Sequence, residues 1–411
     1  DIVLNGLTFS NTISTVTEAS STNMMEILTS MTGSVLISII CIFGLSLWVL
    51  RHPIMAIAYS PLIGFFVLNI FIGNRATFYS APFVWFGGAY LMLLVTRMLI
   101  LQGFPRFNKV QQALILIFSS TISFSILCFI WVTSPAYQYV SPSVPAQIIK
   151  AMSFLNSKNF QSKDSVVASW WDYGYTSMLF NNLPTFTDPG THGSANNYFI
   201  ANALLAKKQS YSGDILRFLA RGGLDKMDIQ PQNSLELREK ILFDRNKPAP
   251  VVYLILTNQM TAWMPSISKI GKWNIDLGTS IPIEGQKAGQ PLSYNFVSCE
   301  NTSNPEILLC NNTPIELNKG LINGKPVLNS VTETRDGKLF GTKRIRENAL
   351  NVFQIIKDSQ SKSASVAIMH KELFHSTYHQ MFHLGRFDTN TFKFIYDGYP
   401  YVRIFELLPV S

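Results

Sequence analysis

The sequence predicts an α-helical membrane part of four spans joined to a mixed α/β soluble part that carries a β-rich insertion. Three observations lead there. Only 14% of the 411 residues are charged, against roughly 25% in ordinary soluble domains. The apolar excess is confined to the first third, while Lys, Asp, Glu and Asn fill the rest. Four stretches in that third are close to, or above, the about 20 apolar residues that cross a bilayer.

The stretches are residues 33–50, 53–72, 76–98 and 111–132. Arg51 and His52 separate the first two, and Arg97, Arg106 and Lys109 surround the junction of the last two. The positive-inside rule puts those two junctions in the cytoplasm. The opposite side then holds residues 1–30, the turn Gly73-Asn74-Arg75 and everything after Ser134. The expected parts are an external segment at 1–30, the four helices at 31–134 and an external soluble domain at 135–411. Residues 1–23 are polar and rich in Ser and Thr, with none of the marks of a signal peptide. A chain that starts outside and dives inward is expected to follow earlier spans, which makes this a fragment.

In the soluble part, 134–145 is a linker bearing Pro and Ser. Helices are expected at 146–156, 197–208, 212–221 and 372–383, and short strands at 165–169 and 365–369. The β-branched run 251–256 suits a buried strand. Residues from about 280 to 356 alternate short apolar runs with Asn-Gly and Asp-Gly turns, which reads as the β-rich insertion. Runs at 392–397 and 401–407 close the domain as a hairpin.

The net charge is +8, yet no Lys/Arg run or zinc pattern accompanies it, so nucleic acid is not an expected partner. Cys41 and Cys128 lie in apolar stretches and read as small buried hydrophobes. Cys299 and Cys310 lie in a polar segment, where a bridge and two free thiols are both open. His375, His379 and His383 recur at i, i+4 and i+8, a spacing that lines one helix face. The sequons at Asn301 and Asn311 flank the Cys pair and leave self-glycosylation open.

The rarest pattern is Trp170-Trp171-Asp172-Tyr173-Gly174. Its plain reading is an aromatic core cluster with a capping Asp. Its functional reading is a clamp in which Asp172 accepts a hydrogen bond and both indole N–H groups donate around a hydroxyl.

Residues 169–175 resemble the WWDYG signature of oligosaccharyltransferase catalytic subunits, and the similarity to bacterial single-subunit members extends along nearly the whole chain. The resemblance implies that the membrane helices are the last four of a multi-span GT-C glycosyltransferase. It also implies an inner-membrane protein with a periplasmic C-terminal domain, acting as a monomer. In this family Trp170, Trp171 and Asp172 would bind the Ser or Thr hydroxyl of an N-x-S/T acceptor. Thr15-Val16-Thr17-Glu18 resembles the TIxE motif, whose Glu approaches a catalytic Mn²⁺ or Mg²⁺ and the acceptor amide. Arg75 resembles the Arg that faces the diphosphate of a lipid-linked oligosaccharide. His192 is either a loop residue or a donor contact, and Tyr175 is a further donor-side candidate. Met260, Trp263 and Ile267 resemble the MxxIxxxI motif that meets the acceptor Thr methyl, with Trp263 standing where the family has Ile. Some relatives that demand an acidic residue two positions before the acceptor Asn carry an Arg shortly past the TIxE Glu. This chain has Thr29-Ser30 there, so no strict acidic requirement is expected.

The reaction implied is transfer of a glycan from a polyprenyl diphosphate to an Asn amide, with Glu18 and Arg75 as catalytic residues. The family's metal-binding Asp-x-Asp has no counterpart here, so the chain alone is expected to be inactive. A non-catalytic, membrane-anchored sequon-binding module is the alternative. A different lipid-phosphate glycosyltransferase fits the two motifs together less well.

Overall fold

The computed structural model describes residues 2–4, 6–11, 23–62, 64–65, 68, 77–103, 108–133, 143–156, 160, 164–191, 193–227, 230–287, 289–302, 304, 306–357 and 365–410. The chain divides into two units, one of residues 1–12 with 144–411 and one of 13–143.

In chain order, strands β1 (Ile2–Leu4) and β2 (Leu7–Phe9) form a hairpin. The second unit follows with helices α1 (Met24–Thr32), α2 (Val35–Arg51), α3 (Pro53–Ala58), α4 (Thr77–Gly103) and α5 (Lys109–Thr133). Asn23 caps α1 through Met25 N, and Gly33 ends it with φ 83°. α1 and α2 then meet at an 82° bend. The side chains of Leu36, Phe43, Leu50, Ile54 and Phe118 are exposed on this unit. Exposed apolar side chains of this kind mark a surface that meets a membrane or a protein partner.

Among the described residues one helix, Tyr79–Met98 within α4, is long and apolar enough to cross a bilayer. This is the third predicted span. The first is the 17-residue α2, which reaches that test only together with the bent α1. The second begins as the six residues of α3, and most of its remainder lies outside the described residues. The fourth falls within the 25-residue α5, of which Val110–Ile122 is an apolar helix among the described residues.

The first unit continues with α6 (Ala146–Phe154), β3 (Val166–Ala168), a 3₁₀ turn Trp171–Tyr173, α7 (Gly174–Asn181), α8 (Asn196–Leu205), α9 (Gln209–Ala220) and α10 (Ser234–Phe243). Next come β4 (Val252–Thr257), α11 (Gln259–Gly271), β5 (Trp273–Asn274) and β6 (Thr279–Ser280). β4 is buried at all six positions, as its apolar β-branched run requires. The insertion supplies β7 (Tyr294–Val297), β8 (Cys299–Asn301), β9 (Ile307–Cys310), β10 (Thr313–Glu316), β11 (Leu321–Ile322), β12 (Lys325–Pro326), β13 (Leu328–Arg335), β14 (Lys338–Arg344) and β15 (Asn351–Lys357). β16 (Ser365–His370), α12 (Lys371–Phe374), a π-helical turn His379–His383, β17 (Phe392–Gly398) and β18 (Val402–Leu407) complete it.

The sheet that positions the site has the order β17-β18-β4-β3. β3 runs parallel to β4, and β18 is antiparallel to both β4 and β17. Insertion strands build one five-stranded sheet, β12-β11-β10-β9-β8, and, together with β16, a second, β14-β13-β15-β16-β7. Asn311-Asn312, Asn323-Gly324 and Asp336-Gly337 all take positive φ at strand junctions, the conformation that two-residue hairpin turns need.

Cys299 and Cys310 face each other across β8 and β9 and are bridged. Closing so short a loop contributes about 2–3 kcal/mol. Replacing both by Ser should lower unfolding stability by about 2 kcal/mol, readable by urea denaturation with and without reductant. Equal midpoints for the two forms would contradict this.

The predicted helix 372–383 is not continuous. It is the four-residue α12, a bend at His375 and Ser376, and the π turn. His379 and His383 are buried with ring centroids 5.1 Å apart. His379 Nδ1 bonds the Tyr294 hydroxyl and His383 Nε2 bonds Thr261. Burial, with Arg403 nearby, pushes the His383 pKa down to about 3. These histidines are neutral core residues.

Residues 1–12 also depart from expectation. The β1–β2 hairpin joins the soluble unit, with Thr8 N donating to the Ile275 carbonyl at 2.7 Å and Trp273 Nε1 to the Thr8 carbonyl at 2.8 Å.

Candidate functional site

Parallel strands leave their carboxyl ends open, and ligands commonly bind there. β3 and β4 are such a pair. β3 ends at Ala168 and leads through Ser169 into Trp170 and the Trp171–Tyr173 turn, while β4 ends at Thr257 and leads into α11. The sequence motif and the helix that carries Trp263 therefore leave the same end of the same sheet.

Within the motif the residues divide sharply by burial. Trp170 is 1% exposed and Tyr173 is fully buried, while Trp171 and Asp172 are half-buried. Trp170 bonds the Asp172 side chain and so orients it. Burial outweighs this bond and raises the Asp172 pKa to about 6. The expectation that both indoles donate to a ligand hydroxyl is thus corrected for Trp170, whose buried ring serves Asp172.

Tyr173 anchors the turn from below. Its hydroxyl donates to Gln259 Oε1 and accepts from Thr257 Oγ1 at 2.9 Å. Burial holds the Tyr173 phenol well above its ordinary pKa. The network continues inward, from Tyr378 Oη to the Thr257 carbonyl at 2.8 Å and from Thr261 Oγ1 to Tyr378 Oη at 2.7 Å. Thr257, Gln259 and Tyr378 were not foreseen. A Thr ending the apolar run of β4 was the one sequence signal for them.

On α11, Met260 and Ile267 are fully buried, as is Met264 between them. This is an ordinary core stripe at i, i+4, i+7. Trp263 is half-buried and lies against Tyr173 with ring centroids 5.4 Å apart. Of the three α11 candidates only Trp263 reaches the surface, and Met260 and Ile267 belong to the core cluster it packs against.

The loop 185–191 closes the other side. Thr187 Oγ1 donates to the Ser169 carbonyl at 3.1 Å, Gly190 N to Asp188 Oδ1 at 2.7 Å and Asp188 N to Thr191 Oγ1 at 2.9 Å. Gly174 lets this loop approach, since a Cβ there would overlap Asp188 Cα and the Thr187 carbonyl. Tyr175 is 54% exposed, with its hydroxyl beside Gly190.

Glu18, Arg75 and His192 lie outside the described residues. Among the described residues no group of three or more His, Cys, Asp or Glu side chains is arranged to hold a metal ion. What the site offers is a carboxylate bonded by an indole, next in sequence to the half-buried Trp171, with the half-buried Trp263 ring against the adjoining Tyr173. That combination suits a short polar group carrying an apolar body.

Residues 163–240 match the model of the STT3/PglB/AglB core domain. Over 95% of its length the chain is 25% identical to the undecaprenyl-diphosphooligosaccharide–protein glycotransferase of Campylobacter jejuni strain RM1221. It is 24% identical, over the same share, to the protein of that name from C. jejuni subsp. jejuni serotype O:2. Each alignment covers 56% of the relative, so the chain spans about half the length of the curated relatives it matches. The crystal structure of the C. jejuni pglb C-terminal domain aligns over 63% of this chain and 99% of that one, with 21% identity and a TM-score of 0.48. The turn built from Trp170 to Gly174 thus lies inside a segment that matches the STT3/PglB/AglB core domain, in a chain similar along nearly all its length to bacterial oligosaccharide–protein glycotransferases.

Proposed function

We propose that this chain is the acceptor-binding part of an oligosaccharyltransferase that moves a glycan from a polyprenyl diphosphate to the Asn of N-x-S/T sequons. The observation that carries the reading is the half-buried Asp172, bonded by Trp170 in a turn at the carboxyl ends of β3 and β4 whose Tyr173 packs against the half-buried Trp263. The Ser or Thr hydroxyl of the acceptor donates to the Asp172 carboxylate, and Trp263 meets the Thr methyl. Asp172 positions the peptide and takes no proton from the amide.

An amide nitrogen is a poor nucleophile because its lone pair is delocalised. In this proposal Glu18 hydrogen-bonds the acceptor N–H and weakens that conjugation. Arg75 takes up charge on the departing diphosphate, and His192 and Tyr175 are the residues assigned to the donor. A divalent cation, Mn²⁺ or Mg²⁺, would bind Glu18 and supply further charge to the leaving group. Among the described residues no cluster fits such an ion. Residues 1–411 by themselves are expected to bind acceptor peptide without transferring glycan. The natural protein is placed in a bacterial inner membrane as a monomer, its helices spanning and its C-terminal domain periplasmic.

The test is transfer to a fluorescent N-x-T peptide by the natural protein, against the Asp172→Ala variant. Loss of transfer with retained folding is expected, and undiminished transfer would overturn the reading. A second prediction concerns the position two before the acceptor Asn. In place of an Arg the chain has Thr29 and Ser30, whose hydroxyls donate to the Met25 and Ile27 carbonyls of their own helix. Peptides with Ala or Asp at that position should be glycosylated within about tenfold of each other. A deficit beyond about a hundredfold for Ala, roughly 2.7 kcal/mol, would contradict it.

A further inference from the structure

The membrane unit contains a second set of features that the acceptor site does not use. α2 and α4 meet where a Cβ on Gly44 would overlap the Gly87 carbonyl, so the two backbones touch. Beyond that contact lies a groove of about 560 Å³ lined by Arg51, His52, Tyr90, Leu93, Leu94 and Arg97. Residues late in α2 thus face residues late in α4, which means the two helices run in the same direction. Arg51 and Arg97, taken from two different sequence junctions, end beside each other.

Their charge has no counterpart nearby in sequence. No Asp or Glu occurs between Glu26 and Asp164. Among the described residues no carboxylate pairs with either Arg. Two guanidiniums and an imidazole beside a phenol make a donor set suited to a phosphate diester. The surface around it is apolar, with Leu50 77%, Leu93 43% and Met98 58% exposed. An anion that sits in this groove and also covers those side chains needs acyl chains attached.

We propose that this groove binds the head group of an anionic phospholipid. The Arg51 and Arg97 side chains hold the phosphate, His52 and the Tyr90 hydroxyl border it, and the acyl chains lie along Leu50, Leu93 and Met98. The lipid neutralises the basic end of α2 and α4 and ties their crossing to the bilayer surface. This rests on the membrane placement proposed above.

The test uses the natural protein in detergent micelles doped with phosphatidylglycerol, phosphatidylcholine or inorganic phosphate, with retained adducts counted by native mass spectrometry. One phosphatidylglycerol should be retained in preference to phosphatidylcholine, and Arg51→Gln/Arg97→Gln should weaken it by about tenfold or more. Arg51→Lys/Arg97→Lys, which keeps the charge, should retain most of the binding. Equal retention of both lipids, or full retention by the Gln pair, would overturn the proposal. Displacement of the lipid by millimolar phosphate would reassign the groove to a free anion and overturn it equally. Extraction of the protein from native membranes by alkaline carbonate is a separate readout, and release there would sink the membrane placement itself.

Discussion

Asp172→Asn is expected to lower peptide affinity and transfer by about 10–100-fold, the worth of a hydrogen bond to a charged acceptor, while leaving the protein more stable at neutral pH. The two effects come from one cause. Burial lifts the Asp172 pKa from 3.8 to about 6. The folded state therefore binds this proton more tightly than the unfolded state does. Stability from this group is greatest below about pH 4 and is lost as pH rises through about 6. An Asn has no charge to desolvate, so the variant gains about 1–2 kcal/mol at pH 7 after allowance for partial solvent exposure. Binding runs the opposite way. A hydroxyl donates to the carboxylate form, so wild-type peptide affinity should fall as pH drops through about 6. Melting curves and peptide titrations between about pH 5 and pH 8 check both signs. An Asn variant less stable than wild type at pH 7, or an affinity flat across pH 6, would contradict the assignment.

Gly174→Ala should cost about 3 kcal/mol, at the upper end for forced overpacking. The added methyl would overlap Asp188 Cα, Asp188 Cβ and the Thr187 carbonyl, all backbone or backbone-proximal atoms that cannot swing aside. Relief requires moving the 185–191 loop, which is tied to Ser169 through Thr187. The turn bearing Asp172 would shift with it, so affinity should fall along with stability. Gly193→Ala is the control, because a Cβ there has no neighbour within 4 Å. Urea midpoints for the two variants decide the matter, and equal midpoints would sink the close-approach argument.

Where a feature is local, the sequence displayed it. The buried run of β4, the Asn-Gly and Asp-Gly turns of the insertion and the two closely spaced runs of the β17–β18 hairpin depend on neighbours a few residues away. α10 escaped notice because only Leu237 and Ile241 are buried on it while Leu235 and Phe243 are exposed, which leaves little periodicity to read. The β1–β2 hairpin escaped because its partners, Trp273 and Ile275, lie far along the chain. The helix expected at 372–383 is not continuous because a bend and a π turn interrupt it.

The Trp170–Gly174 turn and Trp263 stood out in the sequence, while Thr257, Gln259 and Tyr378 beneath them and the division of labour between neighbours did not. Trp170 and Trp171 are identical in type and adjacent in sequence, yet one is sealed in the core and the other reaches the surface. The same holds on α11, where the motif groups Met260, Trp263 and Ile267 and only Trp263 among them reaches the surface.

The most direct test of the acceptor clamp is a double-mutant cycle between the peptide and Asp172. Affinities of N-x-T and N-x-V peptides would be measured by calorimetry for wild type and Asp172→Asn at about pH 7. Thr and Val share a shape and differ by one hydroxyl. If that hydroxyl donates to Asp172, the two changes interact by about 1.5 kcal/mol or more. If their effects simply add, the hydroxyl binds elsewhere and the Trp170–Asp172 turn is not its clamp.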